Sequence, residues 1–86
     1  MNPRAKNITY KSPYQLIVTF SNDEVKLFDL RPYLNFPVYK ELKDEAFCSK
    51  ATVKNGIVVW NDEIDLDPDT LYLESDHYLI EETGEF

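Results

Sequence analysis

One stretch decides the fold: Val58-Val59-Trp60-Asn61-Asp62-Glu63-Ile64-Asp65-Leu66-Asp67-Pro68-Asp69-Thr70-Leu71-Tyr72. It opens as an apolar strand, holds the only tryptophan of the chain, and closes on an apolar pair. Between these ends, Asp65, Asp67 and Asp69 form a D-x-D-x-D pattern. Such a pattern can hold a metal ion or begin a helix, and the flanking residues favour one of the two.

The metal interpretation needs an EF-hand-like loop. Asp65, Asp67 and Asp69 would take its first, third and fifth positions, and Asp76 would take its twelfth. The sixth position, however, is Thr70 where the sharp turn needs glycine, and Asp76 is shorter than the usual bidentate glutamate. A divalent-metal site at these aspartates therefore stays as the alternative interpretation.

The capping interpretation gives a place to every residue of the same segment. Asp67 is a good N-cap, because its carboxylate can accept a backbone N–H from the next turn. Pro68 suits the first helical position, and Asp69 in the first turn complements the helix dipole. Leu71 and Tyr72 then become the packed side chains. The segment is predicted to be a capped helix start.

Apolar alternation and turn residues predict five strands. Ser21-Asn22-Asp23 and Asn55-Gly56 supply the turns of two antiparallel hairpins. The predicted strands are residues 7–10, 14–20, 24–29, 51–54 and 57–60.

Helical signals lie between the two hairpins. Residues 29–34 predict a single helical turn, and residues 37–47 contain good helix formers that predict a longer helix, either continuous or broken into two turns at Glu41-Leu42-Lys43-Asp44. An α-helical period would turn Val38, Leu42 and Phe47 inward.

These elements predict an α+β fold with a small, mainly antiparallel sheet and the order β-β-β-α-β-β-α. The 86 residues are enough for one modest core, so residues 1–80 are expected to form a single domain. Residues 81–86 are expected to be an acidic, flexible tail.

Charge and composition restrict the partners. The formal net charge of -7 disfavours nucleic acid and anionic membranes, and favours either a basic protein partner or simply solubility, the commoner explanation. No apolar run is long enough to span a membrane, and no signal peptide is apparent. The lone Cys48 is typical of a reducing compartment, so a cytoplasmic location is expected. The oligomeric state stays open.

No residue pattern predicts catalysis, a cofactor or a metal centre. His77 is the only histidine, and neither it nor Cys48 lies in a recognised catalytic motif. Trp60 is either a core residue or a contact residue. The six tyrosines exceed what a core of this size must bury. A contact surface is predicted at Trp60, Tyr72, Asp65 and Asp69.

The chain resembles the DUF2442 family over about residues 5–76. The resemblance rests on W-x(4)-D-L-D-P-D-x-L-Y at residues 60–72 and on F-D-L-R-P-Y-L at residues 28–34. It implies a small, mostly bacterial α+β domain with no established catalytic residues. It also implies a regulatory or toxin–antitoxin-like context, since some relatives carry a helix-turn-helix or lie beside a second small family. This chain stops shortly after the motif, so direct DNA binding is not expected. The usual glycine is missing from Asn61-Asp62-Glu63, which we expect to loosen that turn.

Two functional hypotheses follow. The first is a non-enzymatic protein-interaction or regulatory, antitoxin-like module, motivated by the acidic balance and the aromatic surplus. The alternative is a small enzyme or divalent-metal-binding protein that uses Asp65, Asp67 and Asp69.

Overall fold

The computed structural model describes residues 2–61 and 63–77. Its elements, in chain order, are β1 (Ala5–Lys11), β2 (Gln15–Phe20), β3 (Val25–Asp29), two 3-10 helices (Arg31–Tyr33 and Pro37–Lys43), α1 (Glu45–Cys48), β4 (Thr52–Lys54), β5 (Ile57–Val59), α2 (Pro68–Leu73) and β6 (Asp76–His77). The predicted α+β class is confirmed. The tail predicted over residues 81–86 lies outside the described residues.

The strands form two antiparallel sheets. One has the order β1-β2-β3-β6, and the other contains only β4 and β5. The second hairpin meets the larger sheet at its turn, where the Ala5 N–H donates a 3.2 Å hydrogen bond to the Gly56 carbonyl. The sequence predicted both hairpins but not this division, because the meeting point joins residues far apart in the chain.

The core lies against one face of the larger sheet. Alternation in β2 places Leu16, Val18 and Phe20 on that face, each fully buried, and Phe28 of β3 lies opposite Leu16. Period-2 alternation sends every second side chain to the same side of a strand, which is why the sequence predicted this face. The remaining buried apolar residues are Ala5, Leu30, Leu42, Cys48, Val58, Trp60, Ile64, Leu66 and Leu71.

The helix predicted over residues 37–47 is divided in two. A 3-10 helix ends at Lys43, and α1 begins after Asp44, whose carboxylate accepts a 3.1 Å hydrogen bond from the Ala46 N–H. Asp44 therefore ends one helix and caps the next. The single turn predicted over residues 29–34 is the first 3-10 helix, with Pro32 in its first turn.

The inward orientation predicted for Val38 is wrong, because its side chain is 57% exposed. A 3-10 helix has about three residues per turn, so residues three apart share a face. Tyr39 and Leu42 therefore face the core together, whereas Val38 and Glu41 share an outer face. Leu42 is fully buried, and Phe47 is half-buried against the core as expected.

Among the helices of the described residues, none has the length and apolar character that crossing a bilayer requires.

Candidate functional site

Trp60 follows β5 and packs into the core. The side chain is 9% exposed, and its indole Nε1–H donates a 2.8 Å hydrogen bond to the Cys48 carbonyl. Both requirements of a buried tryptophan are met, since the ring is covered and its one polar atom has a partner. Little of the ring remains for another protein, so we leave Trp60 out of the contact surface.

The turn after Trp60 is closed by a side chain. The Asn61 Oδ1 atom accepts hydrogen bonds of 2.8 Å from the N–H groups of both Glu63 and Ile64. The Trp60 N–H also donates to the Ile64 carbonyl at 2.9 Å. Asparagine bonds its own backbone in this way in many turns. Asn61 thus closes this turn with its own side chain.

Asp67 is the N-cap of α2. Its carboxylate accepts a 2.9 Å hydrogen bond from the Thr70 N–H and a 3.2 Å one from the Thr70 hydroxyl. Pro68 occupies the first turn of the helix, and Asp69 contributes negative charge there. This arrangement satisfies a backbone donor that the helix itself leaves without a partner.

The three aspartates do not share a ligand position. Asp69 accepts a hydrogen bond from the Asn2 side chain at 3.2 Å, and Asp65 forms an antiparallel bridge with Val59. Within residues 2–61 and 63–77, no group of three His, Cys, Asp or Glu side chains is placed to hold a metal ion. Asp67 acts as a cap, as described above.

Tyr72 of α2 links the helix to the hairpin of β2 and β3. Its half-buried ring meets the buried Phe20 edge-on, with centroids 5.0 Å apart, and the Lys26 ammonium lies 3.8 Å from its centroid. Its hydroxyl donates to Glu24, and this hydrogen bond raises the pKa of the tyrosine. The ring and hydroxyl are therefore engaged within the domain.

Cys48 is fully buried at the end of α1. Burial raises the pKa of its thiol to about 11, so the neutral form dominates at physiological pH. A nucleophilic cysteine needs the opposite shift. The side chain of His77, its only possible histidine partner, lies outside the described part of the chain.

A more accessible apolar surface lies on the segment between β3 and α1. Phe36 is 50% exposed and Val38 57% exposed, and both stand beside half-buried tyrosines. Tyr33 stacks on the buried Phe28 at 5.3 Å, and meets Phe36 edge-on at 5.8 Å. Tyr33 and Tyr39 make a second edge-on contact at 6.3 Å. We call Tyr33, Phe36, Val38 and Tyr39 the aromatic face.

An open depression adjoins the aromatic face at Val38. Its volume is about 240 Å³, which is below the range of most small-molecule and cofactor pockets but large enough for a protein side chain. It lies between the second 3-10 helix and the turn that follows Trp60. The lining residues are Pro37, Val38, Lys40, Glu41, Glu63 and Ile64.

Four acidic residues lie near this surface, and Lys40 also lines the depression. Glu41 and Glu63 line the depression, and the Asp65 carbonyl accepts a 3.1 Å hydrogen bond from the Tyr39 hydroxyl. Burial raises the pKa of Tyr39, and the negative charge of Asp65 raises it further. Burial and the negative charge of Glu74 likewise raise the pKa of Tyr33. We call Glu41, Glu63, Asp65 and Glu74 the acidic rim.

Sequence reasoning found only Asp65 among these residues. It missed Phe36 and Val38 because an α-helical period assigns Val38 to the core. The available signal was the pair of prolines, Pro32 and Pro37, on either side of a short apolar and aromatic run. Such spacing disfavours a continuous helix and favours short turns that can present side chains outward.

The comparison with known proteins identifies one family. Its model, described as a protein of unknown function (DUF2442), matches residues 5–77. No curated protein matches the chain, and no solved structure does. The match covers the sheets, the aromatic face and α2.

Proposed function

The chain belongs to the DUF2442 family, and we propose that it is a non-enzymatic protein-interaction module whose aromatic face binds a basic segment of a partner protein. The observation that carries this proposal is the exposure of Phe36 and of Val38, two residues apart on a segment that ring contacts hold in place. Exposed apolar residues that lie together mark contact surfaces more often than residues scattered singly.

The face is prepared for contact without rearrangement. Tyr33 is anchored on Phe28 inside the domain, and Tyr39 is anchored through its hydroxyl on the Asp65 carbonyl. Aromatic anchors of this kind provide contact area with little loss of side-chain entropy. Binding would therefore bury Phe36 and Val38 without first ordering the residues beneath them.

The acidic rim supports a basic partner. All nine lysines and arginines of the chain precede Asn55, whereas most acidic residues follow Gly56. The acidic rim draws two of its four members, Glu63 and Asp65, from the turn after Trp60. Complementary charge accelerates encounter and selects against acidic partners. A basic segment with one or two apolar side chains fits this surface.

We further propose that binding by the aromatic face regulates the partner protein. A partner whose basic surface is covered by the aromatic face would be held inactive, as an antitoxin holds its toxin. The free and buried Cys48 supports a cytoplasmic setting, because it needs no oxidising compartment.

Quantitative capture from the native host tests the proposal. Tagged wild-type protein is compared with the double variant Phe36→Ser and Val38→Ser, and with Leu73→Ser as the matched control. Leu73 is a third exposed apolar residue, 64% exposed on α2 and outside the aromatic face. We expect a basic protein that the control retains and the double variant loses.

Charge variants sharpen the same experiment. Glu41→Gln with Glu63→Gln should weaken capture, whereas Asp23→Asn should not, although it also removes a carboxylate. Asp23 has a positive φ of 72°, which asparagine tolerates well. Equal capture by every variant, or a captured protein that is acidic, would contradict the proposal.

A further inference from the structure

We propose that the open edge of β1 pairs with the β1 strand of a second copy of this chain. The two strands would run antiparallel and join two four-stranded sheets into one. This surface is separate from the aromatic face, and the inference does not depend on the proposed function.

The hydrogen-bond pattern shows which backbone groups of β1 have no backbone partner among the described residues. In β2, the Phe20 N–H donates to the Glu24 carbonyl on the β3 side. Backbone direction alternates along a strand, so Thr19 and Ile17 turn their backbone groups toward β1. Their register partners are Asn7 and Thr9. The intervening Ile8 and Tyr10 therefore direct their N–H and C=O groups away from β2, to the edge.

The second hairpin packs beside β1 through β4, and among the described residues its backbone hydrogen bond to this edge is at Ala5. The Ala5 N–H is occupied by the Gly56 carbonyl at 3.2 Å, and the register with β2 shifts between Ala5 and Asn7. From Asn7 to Lys11 the register is regular, and β1 is the terminal strand of the sheet. This stretch offers five residues for strand pairing.

The sequence of this stretch complements itself. Antiparallel pairing centred on Thr9 places Thr9 opposite Thr9, Ile8 opposite Tyr10, and Asn7 opposite Lys11. Threonine pairs and pairs of a β-branched with an aromatic residue are among the favourable cross-strand neighbours. Ile8 and Tyr10 are only half-buried within one copy, so their pairing would cover apolar surface left exposed at the edge.

The lysines of β1 are compatible with this register. Lysines on an edge strand usually oppose pairing, because like charges then meet. In the register centred on Thr9, however, Lys11 faces the Asn7 of the second copy. Lys6 lies before the regular stretch and is paired with Asp23 at 3.1 Å. The lysines thus disfavour other registers. In the register centred on Thr9, no two like charges lie opposite each other.

Disulfide trapping tests the register directly. Thr9 bonds toward β2, so the two Thr9 residues would form a non-hydrogen-bonded pair with Cα atoms about 4.5 Å apart. That separation lies within the range that a disulfide spans. We expect Thr9→Cys to form a covalent dimer under mild oxidation. The buried Cys48 should not compete.

Asn7→Cys is the matched control, since Asn7 is also exposed and lies on the same face of β1. In the proposed register the two residues at position 7 are offset by four residues, about 13 Å, which no disulfide bridges. Cross-linking of Thr9→Cys should therefore be about tenfold faster or more. Equal rates for the two variants would overturn the register.

Sedimentation of the unmodified chain tests the association itself. We expect the wild type to shift from monomer to dimer with rising concentration. Thr9→Lys would place two like charges opposite each other and should weaken the dimer about tenfold. Thr52→Lys makes the same change at an exposed position of β4 and should have little effect.

Two results would reject self-pairing. One is a wild type that stays monomeric at every concentration while both cysteine variants cross-link equally slowly. The other is an equal loss of association in Thr9→Lys and Thr52→Lys, which would point to net charge alone. Either result would leave the β1 edge to a strand from another protein.

Discussion

Trp60 and Phe36 are large aromatic residues in opposite environments. Trp60 is 9% exposed and donates its indole N–H to the Cys48 carbonyl, whereas Phe36 is 50% exposed and touches the domain through Tyr33. The more conspicuous residue in the sequence is the one that builds the core. The stretch that identifies the family therefore explains much of the architecture, and the aromatic face lies on a different segment of the chain.

The polar residues of the two regions also differ in what their side chains contact. Around Trp60, the side chains of Asn61 and Asp67 bond backbone N–H groups and fix a turn and a helix start. Beside Val38 of the aromatic face, Glu41 and Glu63 line an open depression. Polar side chains of the first kind fix the backbone, and those of the second kind line an open surface.

The largest expected effect is at Trp60. Trp60→Ala should lower the free energy of unfolding by about 3–5 kcal/mol, because it leaves a cavity and an unsatisfied carbonyl at Cys48. Trp60→Phe keeps most of the ring volume and should lose less. Urea denaturation measures both. A urea midpoint for Trp60→Ala close to that of the wild type would show that Trp60 is not a core residue. The contrast between Trp60 and the exposed Phe36 would then be lost.

The next effect concerns Cys48, which bonds Trp60 through its carbonyl. Its folded-state pKa of about 11 exceeds the unfolded value, so the thiol stays protonated to a higher pH in the folded state than in the unfolded state. The contribution of this thiol to stability is therefore complete below about pH 9, its unfolded value, and falls as pH rises toward 11, by about 2 kcal/mol. Urea denaturation at pH 8 and pH 10.5 should show this loss. Cys48→Ala should show a smaller one, and an equal loss would assign the effect to other groups.

Asp67 should contribute about 1 kcal/mol as the cap of α2. Asp67→Ala removes the acceptor of the Thr70 N–H and should lower the thermal midpoint, whereas Asp67→Asn should retain most of the stability because asparagine also caps well. Differential scanning calorimetry distinguishes the two. An alanine variant as stable as wild type would sink the capping role.

The aromatic face should tolerate substitution. Val38→Ser should change the free energy of unfolding by about 0.5 kcal/mol or less, since the side chain is 57% exposed. The same substitution should reduce partner capture. A stability loss as large as that of Trp60→Ala would show that this face is part of the core, and the comparison would fail.

Calcium should have no effect on stability. Asp67 is committed to Thr70, and Asp69 is bonded to Asn2. We expect millimolar calcium to leave the melting temperature unchanged in calorimetry. A rise of several degrees that disappears in Asp69→Asn would falsify the purely architectural role of this segment.

Local patterns in the sequence predicted much of the fold. The buried face of β2 follows from period-2 alternation, and the start of α2 follows from Asp67 and Pro68. The Asn55-Gly56 turn follows from the positive φ that both residues adopt, 54° and 82°. These features depend on residues only a few positions apart, which is why they can be read from the chain.

The aromatic face could not be predicted in the same way. Its location depends on whether residues 37–43 wind with about three or about 3.6 residues per turn. That choice is supported by contacts at long range, such as the bond of the Tyr39 hydroxyl to the Asp65 carbonyl. A period read from a short, proline-flanked segment does not contain this information.

The sequence by itself determined the fold class, the two hairpins and the capped helix start, since each arises from neighbouring residues. Only the tertiary structure decided that Trp60 faces the core, that Val38 faces outward, and that among the described residues no backbone hydrogen bond covers the β1 edge beyond Ala5. The physical reason is that burial and strand pairing depend on which distant segments meet. Local sequence sets the conformation of each segment, and the contacts between segments select its exposed side.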